Sequence, residues 1–116
     1  MQRVGNAEAL ERYLDLNAAQ MKLTAQNLAN ADTPGYKARG FDFDVEFSAA
    51  LQRADGGAGP RVGDVDGLVA RPDGNTVSAE RENLQLAKTQ LQFRMGVELL
   101  KHEFSSMMSA IHADNK

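Results

Sequence analysis

The chain has no cysteine and no tryptophan, and only 3 of its 116 residues are proline. Without cysteine there is no disulfide framework and no thiolate-ligated zinc or iron–sulfur centre. Two tyrosines and five phenylalanines are little aromatic material for a large core. Basic charge is not in excess: 13 Lys and Arg stand against 16 Asp and Glu, a net charge of −3. Phosphate backbones require clustered Lys and Arg, so nucleic acid is not the expected partner. No apolar run approaches the roughly 20 residues that span a bilayer, so no membrane insertion is expected. The opening stretch, residues 1–6, lacks the apolar core and small-residue cleavage site of a secretory leader. With 42% hydrophobic and 25% charged residues, what remains is the composition of a soluble domain.

Charge divides the chain into three parts. Residues 1–31 and 79–116 each balance to zero, and residues 32–78 carry the whole deficit, with eight acidic residues against five basic. All three prolines and most of the glycines also lie in that middle. The first part reads as a helix from Ala7 to Ala31. Ala7, Leu10, Leu14, Asn17, Met21, Thr24, Leu28 and Ala31 alternate spacings of three and four, a coiled-coil seam diluted by two polar residues. Pro34 disfavours helix at Thr33, so the helix is expected to stop there.

The last part carries the stronger helical signal. Ser78 is the expected N-cap, with Glu80 and Glu82 in the first turn to complement the helix dipole. From there to His112 no proline occurs. Leu86, Phe93, Val97, Leu100, Phe104, Met107 and Ile111 share one heptad seam broken at Gln90, and Leu84, Leu91, Met95 and Met108 widen the apolar surface. The expected fold is therefore mainly α. Long N- and C-terminal helices form an antiparallel coiled-coil-like hairpin around an irregular, partly extended, Gly-rich middle. Two helices with these seams bury too little of each other to close a core, so a chain incompletely folded alone and completed by its neighbours is expected.

In the middle, Phe41 to Phe47 alternates apolar and acidic residues like a half-buried strand, while Glu46 to Arg53 suits a helix. An extended stretch running into a short helix satisfies both. Residues 55–63 have linker composition, Leu68-Val69-Ala70 reads as a short strand, and Asp73-Gly74-Asn75 as a turn.

Chemistry-bearing residues do not converge. His102 and His112 stand ten apart, without the i, i+4 spacing of a metal pair. Asp42, Asp44 and Glu46 lack the twelve-residue calcium-loop pattern, and Gly56-Gly57-Ala58-Gly59 lacks the Lys and Ser/Thr of a phosphate loop. No catalytic, metal or cofactor-binding residue is nominated.

The most distinctive stretch is Asn27-Leu-Ala-Asn-Ala-Asp-Thr-Pro-Gly-Tyr-Lys-Ala-Arg39. Physically it is a helix end, a Pro-Gly turn with Gly35 able to take positive φ, and an extended departure. Asn30 and Asp32 are suited to local backbone bonds there, and Tyr36 to anchoring an aromatic ring with a polar tip. Asn27, Asn30, Asp32, Thr33, Pro34, Gly35, Tyr36 and Lys37 together resemble the N-terminal signature of the bacterial flagellar rod and hook proteins. The run from Asp32 to Arg39 followed by Phe41-Asp-Phe43, the stretch from Asp73 to Val77 leading into Ser78 to Glu82, and the short length look most like the B-type proximal rod proteins of the basal body. The resemblance covers most of the chain and fades over residues 53–70. It implies a structural, non-enzymatic subunit whose terminal helices (1–31 and 79–116) lie in the inner rod layer, with 32–78 as an excursion. It also implies termini disordered in the monomer before assembly, type III export from the cytoplasm without a cleaved signal, a periplasmic place in the basal body, and torque transmission from the MS ring to the distal rod. The implied partners are copies of itself, other rod subunits, the MS-ring adaptor at the rod base and the export gate. The family's Phe-containing export motif near the N-terminus has no counterpart before Phe41. Another rod subunit of the same family, or a soluble helical adaptor or chaperone of the export system, are the alternatives.

Overall fold

The computed structural model describes residues 5–53 and 59–114. Its elements are α1 (Asn6–Ala29), β1 (Arg39–Gly40), α2 (Phe43–Gln52), β2 (Gly63–Asp64) and α3 (Ala79–Asp114). The long helices pair antiparallel: Asn27 near the end of α1 bonds Glu82 near the start of α3, and Leu14 lies against Gly96. The body is elongated, 70 × 29 × 17 Å with a radius of gyration of 18.1 Å, against about 13 Å for a compact chain of this length. The terminal disorder that the resemblance implies, and part of the linker, concern residues 1–4, 115–116 and 54–58, outside the described residues.

α3 begins as its sequence directs: the Arg81 N–H donates to Ser78 Oγ at 3.2 Å and the Glu82 N–H to the Ser78 carbonyl at 2.9 Å. The 36 residues of α3 make it about 54 Å long. α1 ends two residues earlier than the seam implied, at Ala29, because the Asn30 side chain turns back to bond the Gln26 carbonyl at 2.8 Å while its backbone leaves the helix.

The innermost line of the pair departs from the apolar seams. On α1 the deepest positions include Asn17, Gln20, Thr24 and Asn27, and on α3 Glu82, Thr89 and Gly96. Leu86, Phe93 and Leu100 flank that line half-buried, as do Leu10, Leu14, Met21 and Leu28 on α1. The helices have turned so that small and polar residues meet at the axis. At Gly96 a β-carbon would lie 2.8 Å from Leu14 Cδ2 and 3.1 Å from Tyr13 Cδ2. The bare backbone of the glycine gives the Leu14 and Tyr13 side chains room to lie against α3. Leu16 and Leu23 of α1 are buried as well, whereas Met21, Phe93 and Val97 line an open groove to one side.

α2 covers the other flank of α1. Asp42 caps it by accepting from the Val45 N–H at 3.2 Å, so Phe41 to Phe47 contains a helix start rather than a strand, after the extended residues at β1. Tyr13 meets Phe43 and Phe47 edge-on, with centroids 5.4 and 5.5 Å apart. Arg12 donates to the Ala50 and Arg53 carbonyls at the end of α2 and pairs with Glu8 at 3.0 Å. The acidic trio is split by this arrangement: Asp42 caps, Asp44 is exposed, and Glu46 is buried, accepting from the Arg61 backbone N–H at 2.8 Å. β1 pairs antiparallel with β2, Arg39 opposite Asp64 and Gly40 opposite Gly63. The strand expected at Leu68–Ala70 does not form; Val69 is 89% exposed, with no ladder beside it.

Candidate functional site

The motif that ends α1 folds into a polar junction joining both ends of the excursion to the helix pair. Thr33 to Tyr36 form a turn closed by the Tyr36 N–H to the Thr33 carbonyl at 3.2 Å. Pro34 occupies its second position and Gly35, at φ +75°, its third, the type II pattern. A second turn, Arg71 to Gly74, closes at 2.8 Å and docks on the first: the Gly35 N–H donates to the Asp73 carbonyl at 2.8 Å. A β-carbon on Gly74, at φ +86°, would stand 3.4 Å from the Gly35 Cα, an ordinary contact, so both turns need glycine for the positive φ rather than for space. Three more bonds tie the departing strands: Thr76 N–H to the Tyr36 carbonyl (3.0 Å), Ala38 N–H to Thr76 Oγ1 (2.8 Å) and Lys37 Nζ to the Gly74 carbonyl (2.7 Å).

Two buried asparagines organise the junction. Asn75 Nδ2 donates to the carbonyls of Asn30, Ala31 and Thr33 at 2.9, 3.1 and 2.8 Å, while its Oδ1 accepts from the Val77 N–H at 2.7 Å. It thereby binds the C-cap carbonyl of α1 and two carbonyls of the chain that leaves the helix. Arg71 reinforces it, donating to the Val77 and Ala31 carbonyls. Asn27 pairs with the Arg39 peptide in both directions: Oδ1 accepts from its N–H at 3.0 Å and Nδ2 donates to its carbonyl at 2.9 Å. The same Nδ2 donates to Glu82 Oε1 at 3.0 Å, which also accepts from Arg81 Nη1 at 2.9 Å. One side chain therefore joins α1, β1 and α3. Tyr36 Oη lies 3.5 Å from Asn27 Oδ1.

Asn27, Asn30, Thr33, Gly35, Tyr36 and Lys37 all meet here, Asn30 through its carbonyl and through Oδ1, which accepts from Thr33 Oγ1 at 3.1 Å. Asp32 and Pro34 lie on the exposed rim. Sequence reasoning did not assign the roles of Asn75, Arg71, Thr76 and Glu82. The turn Asp73-Gly74-Asn75 and the stretch from Asp73 to Val77 leading into Ser78 to Glu82 marked the neighbourhood of Asn75, Thr76 and Glu82, without the contacts they make. Of the α3 seam, Leu86, Phe93, Val97 and Leu100 are half-buried, whereas Phe104, Met107 and Ile111 are exposed, at 47, 46 and 53%. Among the described residues no group of His, Asp and Glu is placed to hold a metal ion.

Gly35→Val is expected to destabilise the fold by about 1–3 kcal/mol, since a β-branched residue at positive φ is strained although the space beside it is open. A lowered urea midpoint with an unchanged slope is the expected readout.

A family model described as "Flagella basal body rod protein" matches residues 14–37, most of α1 and the first turn. The chain is 32% identical over 126 residues to the flagellar basal body rod protein FlgB of Salmonella typhimurium, covering 90% of this chain and 91% of that one. The chain belongs to the flagellar basal body rod proteins. It is 31% identical to FlgB of Escherichia coli, over 90% of this chain and 91% of that protein. A FlgB of Cereibacter sphaeroides is 32% identical over 87% of this chain and 89% of its own length. This rod protein is thus a structural component of the flagellar basal body, an apparatus of motility. The matched segment holds Asn17, Gln20, Thr24 and Asn27 together with the turn, which are the α1 half of the polar axis and of the junction.

Proposed function

We propose that this rod protein is a subunit of the proximal rod, exported from the cytoplasm by the flagellar type III apparatus without a cleaved signal and completing its fold on assembly in the periplasm. Residues 1–31 and 79–116 form the inner layer, and residues 32–78 leave it at the junction. The partners are copies of itself, other rod subunits, the MS-ring adaptor at the rod base and, in transit, the export gate. The mechanical role is to pass torque from the MS ring to the distal rod. A subunit that carries torque must present rigid elements to its neighbours, and a long helix braced by a bonded junction meets that need.

The observation that carries the reading is the uncovered end of α3. The antiparallel register brings Asn6, the first residue of α1, level with Phe104. Beyond that level the seam continues through Phe104, Met107 and Ile111 with no described helix against it. Apolar surface left open at the end of a seam marks a protein interface.

The test is localisation. In cells lacking the chromosomal copy, a chain tagged within residues 54–58 is expected to restore rods and to carry gold label at the membrane-proximal end of purified basal bodies. Label at the distal end would favour a different rod subunit of the same family, and a chain confined to the cytoplasm would overturn the rod reading.

A further inference from the structure

Among the described residues two aspartates are followed by glycine, at Asp66-Gly67 and Asp73-Gly74; a third such pair, Asp55-Gly56, lies outside them. In this dipeptide a side-chain carboxyl can reach the next backbone nitrogen with least hindrance, because glycine puts no β-carbon in the way. The two sites look alike at first. Both aspartates are exposed, both pairs lie in turns, and the glycines have φ +80° and +86°. Solvent access and backbone twist therefore do not separate them. Hydrogen bonding does.

At Asp73 each group the reaction needs is already held. Its Oδ1 accepts from the Asn75 N–H at 2.9 Å, and the Gly74 N–H donates to the Arg71 carbonyl at 2.8 Å. The Asp73 carbonyl accepts from the Gly35 N–H, also at 2.8 Å. Moving the Gly74 nitrogen onto the Asp73 carboxyl carbon breaks the first two bonds and disturbs the third, which docks one turn on the other. At Asp66 neither the carboxylate nor the Gly67 N–H has a hydrogen-bond partner among the described residues. Attack there breaks no bond to the protein.

We propose that Asp66-Gly67 is a site of spontaneous backbone isomerisation, and that the bonds of the junction protect Asp73-Gly74 from the same reaction. The Gly67 nitrogen gives up its proton and bonds to the Asp66 carboxyl carbon. The carboxyl gives up its hydroxyl, so one water leaves and a succinimide ring closes. Water then opens the ring at either carbonyl. Cleavage from the former side-chain carbon restores aspartate, whereas cleavage from the backbone carbon leaves the chain running through the side chain as isoaspartate. No oxidant, reductant or cofactor enters. Isoaspartate adds a carbon to the main chain beside Val65, whose N–H donates to the Ala38 carbonyl at 2.9 Å and whose Cγ2 lies close to Gly40. The β1–β2 ribbon is the element the change loosens, while the junction keeps its bonds.

The test uses the full-length protein, held at neutral pH and physiological temperature and sampled over weeks. Trypsin does not cut between Arg71 and Pro72, so both sites lie on one peptide, residues 62–81. Electron-transfer fragmentation of that peptide apportions isoaspartate between them. In the folded chain isoaspartate at 66 is expected to exceed that at 73 by more than about tenfold, the effect of two hydrogen bonds that only one site must break. In urea sufficient to unfold the chain the two rates are expected to converge. Equal accumulation at the two sites in folded protein would overturn the proposal, and so would a ratio that unfolding leaves unchanged.

Discussion

Replacing Asn75 with alanine is expected to lower stability by about 2–4 kcal/mol, because a buried amide that serves several backbone groups is lost at once. Its Nδ2 holds the Asn30, Ala31 and Thr33 carbonyls and its Oδ1 holds the Val77 N–H. Alanine leaves the Val77 N–H buried without that partner, whereas the carbonyls nearer the rim regain some water. Asn75→Asp separates these contributions. It retains the acceptor for Val77 but turns a second oxygen toward three carbonyl oxygens, and as a buried carboxylate it carries an added desolvation cost. The expected order of urea midpoints is wild type, then Asn75→Ala, then Asn75→Asp. If aspartate proved as stable as asparagine, the grip on the end of α1 would contribute little and the Val77 bond would account for the residue. Since a domain's whole stability is about 5–15 kcal/mol, either variant should leave a substantial unfolded population in a hairpin this thin.

The two long helices were legible because period and punctuation agreed: Pro34 and Gly35 stop one, Ser78 starts the other, and no proline interrupts residues 79–112. The facing surfaces were only partly legible. A search for apolar spacing selects Leu14, Met21, Val97 and Phe104, whereas the buried line also takes Thr24, Thr89 and Gly96, the last of which seats the Leu14 side chain. Asn17 and Thr24 were visible as polar members of the seam; Gln20, one turn between them, was not, because it interrupts no apolar repeat. The β1–β2 ribbon left no trace either. Two residues a side paired through the backbone produce no side-chain period, and Gly63-Asp64 lies in glycine-rich sequence. At the site the turn itself was readable from Pro34 and Gly35. Its clasp was not, since Asn75 sits 45 residues from Asn30 and nothing local requires an asparagine there to reach across.

The polar axis has an energetic consequence. Gln20 Nε2 bonds Thr24 Oγ1 at 3.2 Å, and Thr89 Oγ1 bonds the Gln85 carbonyl at 2.7 Å. Such bonds satisfy the buried groups but contribute only about 0.5–1.5 kcal/mol each net of the water they replace. Asn17 donates to the Tyr13 carbonyl at 2.9 Å, while its buried Oδ1 has no partner among the described residues. A leucine pair in the same place would bring about 1.5–3 kcal/mol per side chain. The hairpin is therefore specific in register and modest in stability, which suits a subunit proposed to finish folding against its neighbours.

Phe104→Asp is the substitution expected to separate folding from assembly most sharply. Phe104 is 47% exposed and level with the beginning of α1, so within the chain it has little to lose. A charged residue there should leave the helical content intact and shift stability by less than about 0.5 kcal/mol, as surface changes do. In an assembled rod the same position is proposed to be covered, and a carboxylate there would lose the transfer energy of a buried phenylalanine, about 1.5–3 kcal/mol, and add a desolvation cost. Because every copy presents the site, the penalty recurs at each contact, and rods and swimming should be lost at normal levels of synthesis. Leu100→Asp should abolish rods too, but it is half-buried against the hairpin and should also lower the urea midpoint of the isolated chain. The pair of outcomes is diagnostic: two defects for Leu100, one for Phe104. Cells that swim normally with Phe104→Asp would show that the end of α3 stays in water in the rod, and the inner-layer placement of residues 79–116 would fall with it.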